Sequence, residues 1–207
     1  MEIISIRYGD SHFPEKYIFA NGNEDKLCPI VFKVLVIKDN NRTILVDAGC
    51  ETMPGFDMHN FVGSVKALEK NRIFTDSITD VVITHAHHDH IECVKYFDKA
   101  VIHIQKDEYE GGRKYIPQIF NVNIFESDFC ITENVVVKKI GGHSKGSCIV
   151  ELYQENKTYV ISGDECYSRK NLTDMIPAGK PYCPQKNKEF IEKYSSAQYN
   201  VLLCHDE

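Results

Sequence analysis

The chain has 207 residues, of which 43% are hydrophobic and 26% are charged, a balance typical of one globular domain with its own core. Its formal net charge is -6, and no apolar stretch approaches the length of a membrane span. These properties argue against nucleic-acid binding, which needs a basic surface, and against a membrane protein. We therefore expect a single domain over residues 1–207.

Short apolar runs between turn residues predict strands in the first half of the chain. The segment Met1–Arg7 lacks the basic and apolar blocks of a secretory signal and is predicted to form a first strand. A hairpin is expected where Val31–Ile37 and Thr43–Asp47 flank the turn residues Asp39–Arg42. Two further strands are expected at Val81–Ile83 and Val101–Ile104. Helices are expected at Phe61–Leu68, from near Asp89 onward with Ile91, Val94 and Phe97 facing inward, and at Gln105–Glu110.

The second half repeats the mixture of strands and helices. Strands are predicted at Val135–Val137, Cys148–Tyr153, Thr158–Ser162 and Val201–Cys204, and a helix is predicted at Asn187–Ser195. Both halves therefore favour the α/β class.

Eight cysteines are present, and none of them forms a Cys-x-x-Cys pair. Because the chain is large and shows no export signal, we expect reduced thiols and a cytoplasmic protein. Cys166 and Cys204 lie beside candidate metal ligands, but small buried apolar side chains are their expected role.

The most informative segment is the run Thr84–His90, which follows the apolar strand Val81–Ile83. In an extended backbone His85 and His87 point to the same side, whereas His88 points to the other and is not expected to be a ligand. Asp89 and His90 follow where the chain bends into a helix. Four ligand-type residues within six positions are hard to explain structurally, so the run predicts metal binding.

Three later residues complete the candidate ligand set. His143 lies in the glycine-containing loop Gly141–Ser147, Asp164 follows a buried strand, and His205 follows the last strand. A carboxylate at the end of a buried strand is costly unless it is paired or bound to metal. Imidazole and carboxylate donors suit zinc, iron, manganese or cobalt, and seven of them can hold two divalent ions.

With these motifs the chain resembles the metallo-β-lactamase superfamily, from Thr43–Gly49 to His205. The resemblance implies an αββα sandwich of two mixed sheets flanked by helices, with the metal site at one edge. It also implies the ligands of two metals. His85, His87 and His143 would hold the first metal, Asp89, His90 and His205 the second, and Asp164 would bridge both together with a hydroxide. Asp47 matches a position that supports the site in that family, although a turn carboxylate is an equally good interpretation.

A narrower resemblance is to the N-acyl homoserine lactonases. It depends on the predicted helix start Gln105–Glu110, on the spacing of Asp164 and Tyr167, and on the segment Ile176–Gly179, which looks like their substrate-side loop. It implies that Tyr167 assists at the substrate carbonyl or the leaving group; a half-buried packing role is the alternative. The chain departs from the family at Ile91–Cys93, where small residues are usual, and in the short region between Gly49 and Asp80.

The predicted function is therefore a dinuclear metal-dependent hydrolase, in which a metal-bridging hydroxide attacks a small-molecule lactone, ester or thioester. Asp89 and Tyr167 are the candidate catalytic residues, and zinc is the first choice of metal, with iron or manganese as alternatives. A phosphodiesterase of the same fold, a di-iron redox protein and a non-catalytic metal-binding protein are the other possibilities. The expected partner is a small-molecule substrate, with no nucleic acid and no membrane, and the sequence leaves the oligomeric state open.

Overall fold

The structure is a computed structural model that describes all 207 residues. The strands are β1 Glu2–Pro14, β2 Leu27–Asp39, β3 Arg42–Val46, β4 Asp80–Ile83, β5 Val101–Gln105, β6 Asn121–Phe125, β7 Phe129–Thr132, β8 Val135–Lys139, β9 Cys148–Gln154, β10 Lys157–Ile161 and β11 Tyr199–Leu202. The helices are α1 Glu15–Ile18, α2 Ser64–Lys70, α3 His88–Ile91, α4 Lys106–Gly112, α5 Arg169–Thr173 and α6 Pro184–Tyr194. Short 3-10 turns lie at Thr75–Ser77, Glu92–Tyr96 and Gly163–Glu165. None of the helices is long and apolar enough to cross a lipid bilayer.

The chain folds as two compact units, and the first comprises Met1–Asp10 and Val31–Glu126. Its six-stranded sheet has the order β1-β2-β3-β4-β5-β6. β2 and β3 form the predicted hairpin, in which Asp39 pairs with Arg42 and Asn40 takes a left-handed conformation with φ of 52°. From β3 to β6 neighbouring strands are parallel, so their carboxyl ends meet at one edge of the sheet. Residues that follow β3, β4 and β5 are thereby brought together.

The second unit comprises Ser11–Ile30 and Ser127–Glu207. Its five-stranded sheet has the order β11-β10-β9-β8-β7, in which only the β10–β11 pair is parallel. The ends of β8, β10 and β11 reach the same edge, because Lys139 pairs with Cys148, Val150 with Ile161, and Ile161 with Leu202. Helix α6 buries Phe190, Ile191 and Tyr194 in an apolar cluster that also contains residues of β9, β10 and β11.

Most predicted elements are confirmed, with shifted ends. Helix α2 begins at Ser64 rather than at Phe61, because Gly63 precedes it with a φ of 78° that a helix cannot contain. The predicted helix near Asp89 is a single turn followed by a 3-10 turn, but it buries Ile91, Val94 and Phe97 completely, as expected. Strands β6 and β7 and helices α1 and α5 were not predicted. All eight cysteines are free, and Cys166 and Cys204 are buried, as expected.

Candidate metal centre

His85 and His87 follow β4 at the edge where the parallel strands end. His85 is completely buried, and its Nε2 faces Nδ1 of His87 at 2.9 Å, with the two rings nearly perpendicular. Two imidazole nitrogens at this distance can share one proton or one cation. The ring nitrogens of His88 face elsewhere, toward the Thr52 carbonyl at 2.8 Å and the Tyr115 hydroxyl at 3.3 Å, which agrees with the sequence prediction for this residue.

Asp47 follows β3 and sets the tautomers of two candidate ligands. Its carboxylate accepts bonds from the Thr84 backbone N–H at 2.8 Å and from the Thr84 hydroxyl at 2.9 Å. Because that hydroxyl gives its only hydrogen to Asp47, its oxygen accepts from Nδ1 of His85, 3.1 Å away. His85 therefore carries its proton on Nδ1 and keeps a lone pair on Nε2.

The same carboxylate fixes His90 directly. Asp47 Oδ2 lies 2.7 Å from Nδ1 of His90, so this nitrogen donates and Nε2 keeps its lone pair. Nε2 lies 3.5 Å from the Asp89 carboxylate, and the backbone carbonyl of Asp89 accepts a bond from the Tyr8 hydroxyl at 2.9 Å. A histidine whose second nitrogen donates to a carboxylate is the usual form of a metal ligand. Asp47 therefore holds the Thr84 hydroxyl and the His90 imidazole in place and is not a simple turn carboxylate.

Glu108 is a support that the sequence analysis missed. This side chain of α4 is almost fully buried, and its carboxylate accepts the backbone N–H of Ala86 at 2.9 Å. Because Ala86 lies between His85 and His87, the bond fixes the backbone that carries both imidazoles. In the sequence, Glu108 appeared only as part of the predicted helix start Gln105–Glu110, since its contact with Ala86 depends on the neighbouring parallel strands β4 and β5.

In the second unit three candidate ligands meet at the edge where β8, β10 and β11 end. Asp164 lies in the 3-10 turn Gly163–Glu165 after β10 and is 5% exposed. Its Oδ1 lies 3.1 Å from Nε2 of His205, and its Oδ2 lies 3.6 Å from Nε2 of His143. One carboxylate therefore presents a different oxygen to each imidazole, as a ligand shared by two metals would.

Tyr167 is nearly buried beside two of these imidazoles. Its ring stacks on His205 with centroids 5.5 Å apart, and it lies edge-on to His143 at 6.0 Å. On another side Phe13 lies 5.9 Å away. These contacts place the Tyr167 ring next to the predicted metal ligands, and they fit a packing role and a catalytic role equally.

The seven predicted ligands divide between the two units. His85, His87, Asp89 and His90 lie together in the first unit, and His143, Asp164 and His205 lie together in the second. A further group of ligand-type side chains in the first unit, Glu51, Glu92 and Cys93, was not predicted. Burial raises the pKa of the Cys166 thiol well above its ordinary range, which agrees with its expected role as a small buried side chain.

The chemistry of the donor set fits divalent metal ions. His85 and His90 each keep a lone pair on Nε2, and the carboxylate oxygens of Asp164 supply negative charge beside the imidazoles of His143 and His205. Imidazole nitrogen and carboxylate oxygen donors suit zinc, iron or manganese. Burial of the Asp164 carboxylate carries a desolvation cost that a bound cation would offset.

Residues 33–188 match the family model described as the metallo-beta-lactamase superfamily. The chain belongs to this superfamily. Two curated relatives are each 28% identical to it. One is a protein of Methanocaldococcus jannaschii named as a probable metallo-hydrolase, aligned over 72% of this chain. The other is the N-acyl homoserine lactonase AiiB of Rhizobium rhizogenes, aligned over 55%. The alignments span 66% and 50% of those relatives, so the chain covers less than two thirds of their length.

Solved structures show the fold of this superfamily member along its whole length. An N-acyl homoserine lactone hydrolase with the product N-hexanoyl-L-homoserine bound at its catalytic metal center matches with a TM-score of 0.84 and 18% identity, over 99% of this chain and 92% of that one. The dizinc quorum-quenching lactonase AidC matches with a TM-score of 0.78 and 16% identity, over 99% and 87%. The predicted fold class, two mixed sheets with helices, is confirmed.

Proposed function

We propose that this protein is a dinuclear metal-dependent hydrolase of a small-molecule lactone, ester or thioester. The observation that carries the proposal is the clustering of ligand-type side chains in each unit, four in the first and three in the second, which together supply five imidazoles and two carboxylates. The family supports hydrolysis, and the relatives named as N-acyl homoserine lactonases make a lactone the first substrate to test. That residues 1–207 form a single domain, and that the protein works in the cytoplasm, stay predictions.

The proposed ligands form two sets, one for each metal. His85, His87 and His143 would hold one metal, Asp89, His90 and His205 the other, and Asp164 would contact both. The position of Asp164 supports the shared role, because its two oxygens face His143 and His205, which belong to different proposed ligand sets. When bound, the two ions would activate a water molecule at neutral pH and polarise the substrate carbonyl.

Two side chains are proposed to complete the chemistry. Tyr167 would donate its hydroxyl proton in a hydrogen bond to the negative charge that develops on the substrate carbonyl oxygen. Its stacking on His205 supports this role, because it fixes the phenol ring beside a proposed ligand. Asp89 would deliver a proton to the leaving oxygen, a role supported by its place beside His90.

A cavity in the second unit would admit the substrate to Tyr167 and His205. Its volume is about 280 Å³, and both Tyr167 and His205 line it. Apolar side chains form part of the wall, namely Ile18, Phe19, Pro29 and Ile30. A cavity of this size suits a small molecule rather than a polymer.

The test is metal analysis of the purified protein beside a hydrolysis panel of lactones, thioesters and phosphodiesters. We expect two metal ions per chain and lactone or ester turnover that stops on chelation and returns with zinc or manganese. Turnover that survives complete metal removal would contradict the proposal. Phosphodiester turnover alone would favour the phosphodiesterase alternative, and iron colour with electron transfer would favour the redox alternative.

A further inference from the structure

Glu165 is a buried carboxylate for which the proposed hydrolysis has no use. Its side chain is completely buried, directly after Asp164 in the chain. Oε1 accepts the backbone N–H groups of Gly142 and His143, both at 3.0 Å, and the hydroxyl of Ser147 at 2.5 Å. Three donors on one oxygen hold the loop that carries His143.

The second carboxylate oxygen of Glu165, Oε2, is held by a residue of helix α6. Asn187 in the first turns of that helix donates its side-chain amide to Oε2 at 3.0 Å and to the backbone carbonyl of Glu165 at 2.9 Å. The amide oxygen of Asn187 in turn accepts the backbone N–H of Ala178 at 2.9 Å. Asn187 is itself completely buried, so the orientation of the Glu165 carboxylate is determined on both sides.

The Glu165 carboxylate packs so closely against the loop at Gly142 that no side chain fits between them. A Cβ atom added to Gly142 would lie 2.2 Å from Oε2 of Glu165 and 2.9 Å from the backbone nitrogen of Asn187. The loop therefore contacts Glu165 closely enough that only glycine fits at position 142. A loop that begins with two glycines has much backbone freedom by itself, and the carboxylate removes it here.

We propose that Glu165 is a positioning residue that locks His143 against Asp164 and so sets the metal affinity of the centre. Glu165 is joined to Asp164 by a peptide bond, and its side chain accepts a hydrogen bond from the backbone N–H of His143. One residue therefore fixes the positions of both proposed ligands relative to each other. The inference rests on the proposed function, because it takes His143 and Asp164 as ligands. Loss of a supporting partner behind metal ligands typically weakens metal binding about 10- to 100-fold.

The decisive variant is Glu165→Gln. Glutamine can keep an oxygen toward Gly142, His143 and Ser147, but its amide nitrogen then faces the Asn187 amide, so that two donors oppose each other. The matched control is Glu151→Gln. Glu151 is a buried carboxylate of the same unit that accepts bonds from Tyr153, Tyr194 and Lys138, and none of these partners adjoins a proposed ligand.

Two measurements separate positioning from general stability. In metal-free protein, hydrogen exchange at the Gly142 and His143 amides should accelerate in Glu165→Gln and not in Glu151→Gln. In titrations with Co²⁺ against a chromophoric chelator, Glu165→Gln should bind about 10-fold or more weakly and show an altered cobalt absorption spectrum. Glu151→Gln should bind Co²⁺ like the parent protein, even where its melting temperature falls.

Wild-type exchange rates, cobalt affinity and spectrum in Glu165→Gln would overturn the inference. If the parent protein itself binds no metal, the proposed function fails, but the exchange measurement still decides whether Glu165 holds the loop. If Glu165→Gln does not fold, Ser147→Ala takes its place, because it removes a single donor from Oε1. Faster exchange at His143 and weaker cobalt binding in that variant would support the inference, and parent-like values would contradict it.

Discussion

Nδ1 of His90 lies 2.7 Å from Oδ2 of Asp47, and the same carboxylate accepts both hydrogen bonds that Thr84 donates. One buried aspartate after β3 thus fixes the tautomers of His85 and His90, which belong to different proposed ligand sets. The parallel pairing of β3 and β4 produces this arrangement, because Val46 and Val82 are partners and the residues after both strands must meet.

The substitution Asp47→Asn should weaken metal binding. An amide has one oxygen and one NH₂ group, so it cannot accept from Thr84 and His90 at both positions, and one buried donor loses its acceptor. We expect metal affinity to fall about 10- to 100-fold, measured by competition with a chromophoric chelator. Asp80→Asn is the control, since Asp80 is an equally buried aspartate at the opposite end of β4. Equal affinities for the parent and Asp47→Asn would show that the tautomers are set elsewhere.

Tyr167→Phe separates chemistry from packing. Phenylalanine keeps the stacking on His205 and loses only the hydroxyl. If the hydroxyl stabilises developing charge, kcat for the best lactone substrate should fall about 10²-fold or more while metal content stays at the parent level. Steady-state kinetics with metal analysis on the same sample checks this. Parent-like turnover would assign Tyr167 to packing.

The hydrogen bonds of Asp80 predict a pH dependence of stability that is independent of the metal centre. Burial acts to raise the pKa of Asp80, but bonds from His103 and Thr79 and the charge of Arg42 outweigh it and leave the pKa lowered. A lowered pKa in the folded state stabilises the protein above the unfolded value of about 3.9, and the stabilisation is lost as the pH falls through the folded pKa.

Asp80→Asn should therefore lower the free energy of unfolding by about 1–3 kcal/mol at pH 7. The difference from the parent should shrink as the pH falls from about 4 through the lowered folded pKa, below which Asp80 is uncharged in the folded parent as well. Urea denaturation of chelator-treated protein at several pH values measures it. A difference that stays constant from neutral to acid pH would show that the carboxylate charge contributes nothing.

Gly49→Ala should destabilise the fold. Gly49 has a φ of 71°, and an added Cβ would lie 2.3 Å from Cβ of Ser64, whose hydroxyl donates to the Ala48 carbonyl at 2.7 Å. Backbone strain and overpacking together should cost about 2–5 kcal/mol. Gly55→Ala is the matched control, because Gly55 also has a positive φ but has no atom within 4 Å of an added Cβ. Equal losses in both variants would assign the whole effect to the backbone angle.

The seven candidate ligands could be selected from sequence because each follows a short apolar strand or lies in a glycine loop. Strong local patterns also predicted the hairpin β2–β3 and helix α6. The failures have physical causes. Strand β6 is an edge strand with asparagine, a residue disfavoured in strands, at Asn121 and Asn123, and Ile124 is exposed, so its composition resembles that of a loop. Helix α1 is a single turn that no hydrophobic period can mark.

The supporting residues were harder to predict than the ligands. Glu108 and Glu165 are glutamates in segments with ordinary polar composition, and their importance arises only from the backbone N–H groups that the fold brings to them. Burial raises the pKa of Glu165 even though four hydrogen-bond donors act in the opposite direction, which shows how strongly that site is desolvated. Such environments depend on long-range packing, and a single sequence does not display them.

Anomalous X-ray diffraction at the zinc edge, from crystals of the zinc-loaded protein, tests the central claim most directly. The account predicts two anomalous peaks, one in contact with His85, His87 and His143 and the other with Asp89, His90 and His205, both touching Asp164. A single peak, or peaks that leave His205 or Asp164 without a metal contact, would contradict it.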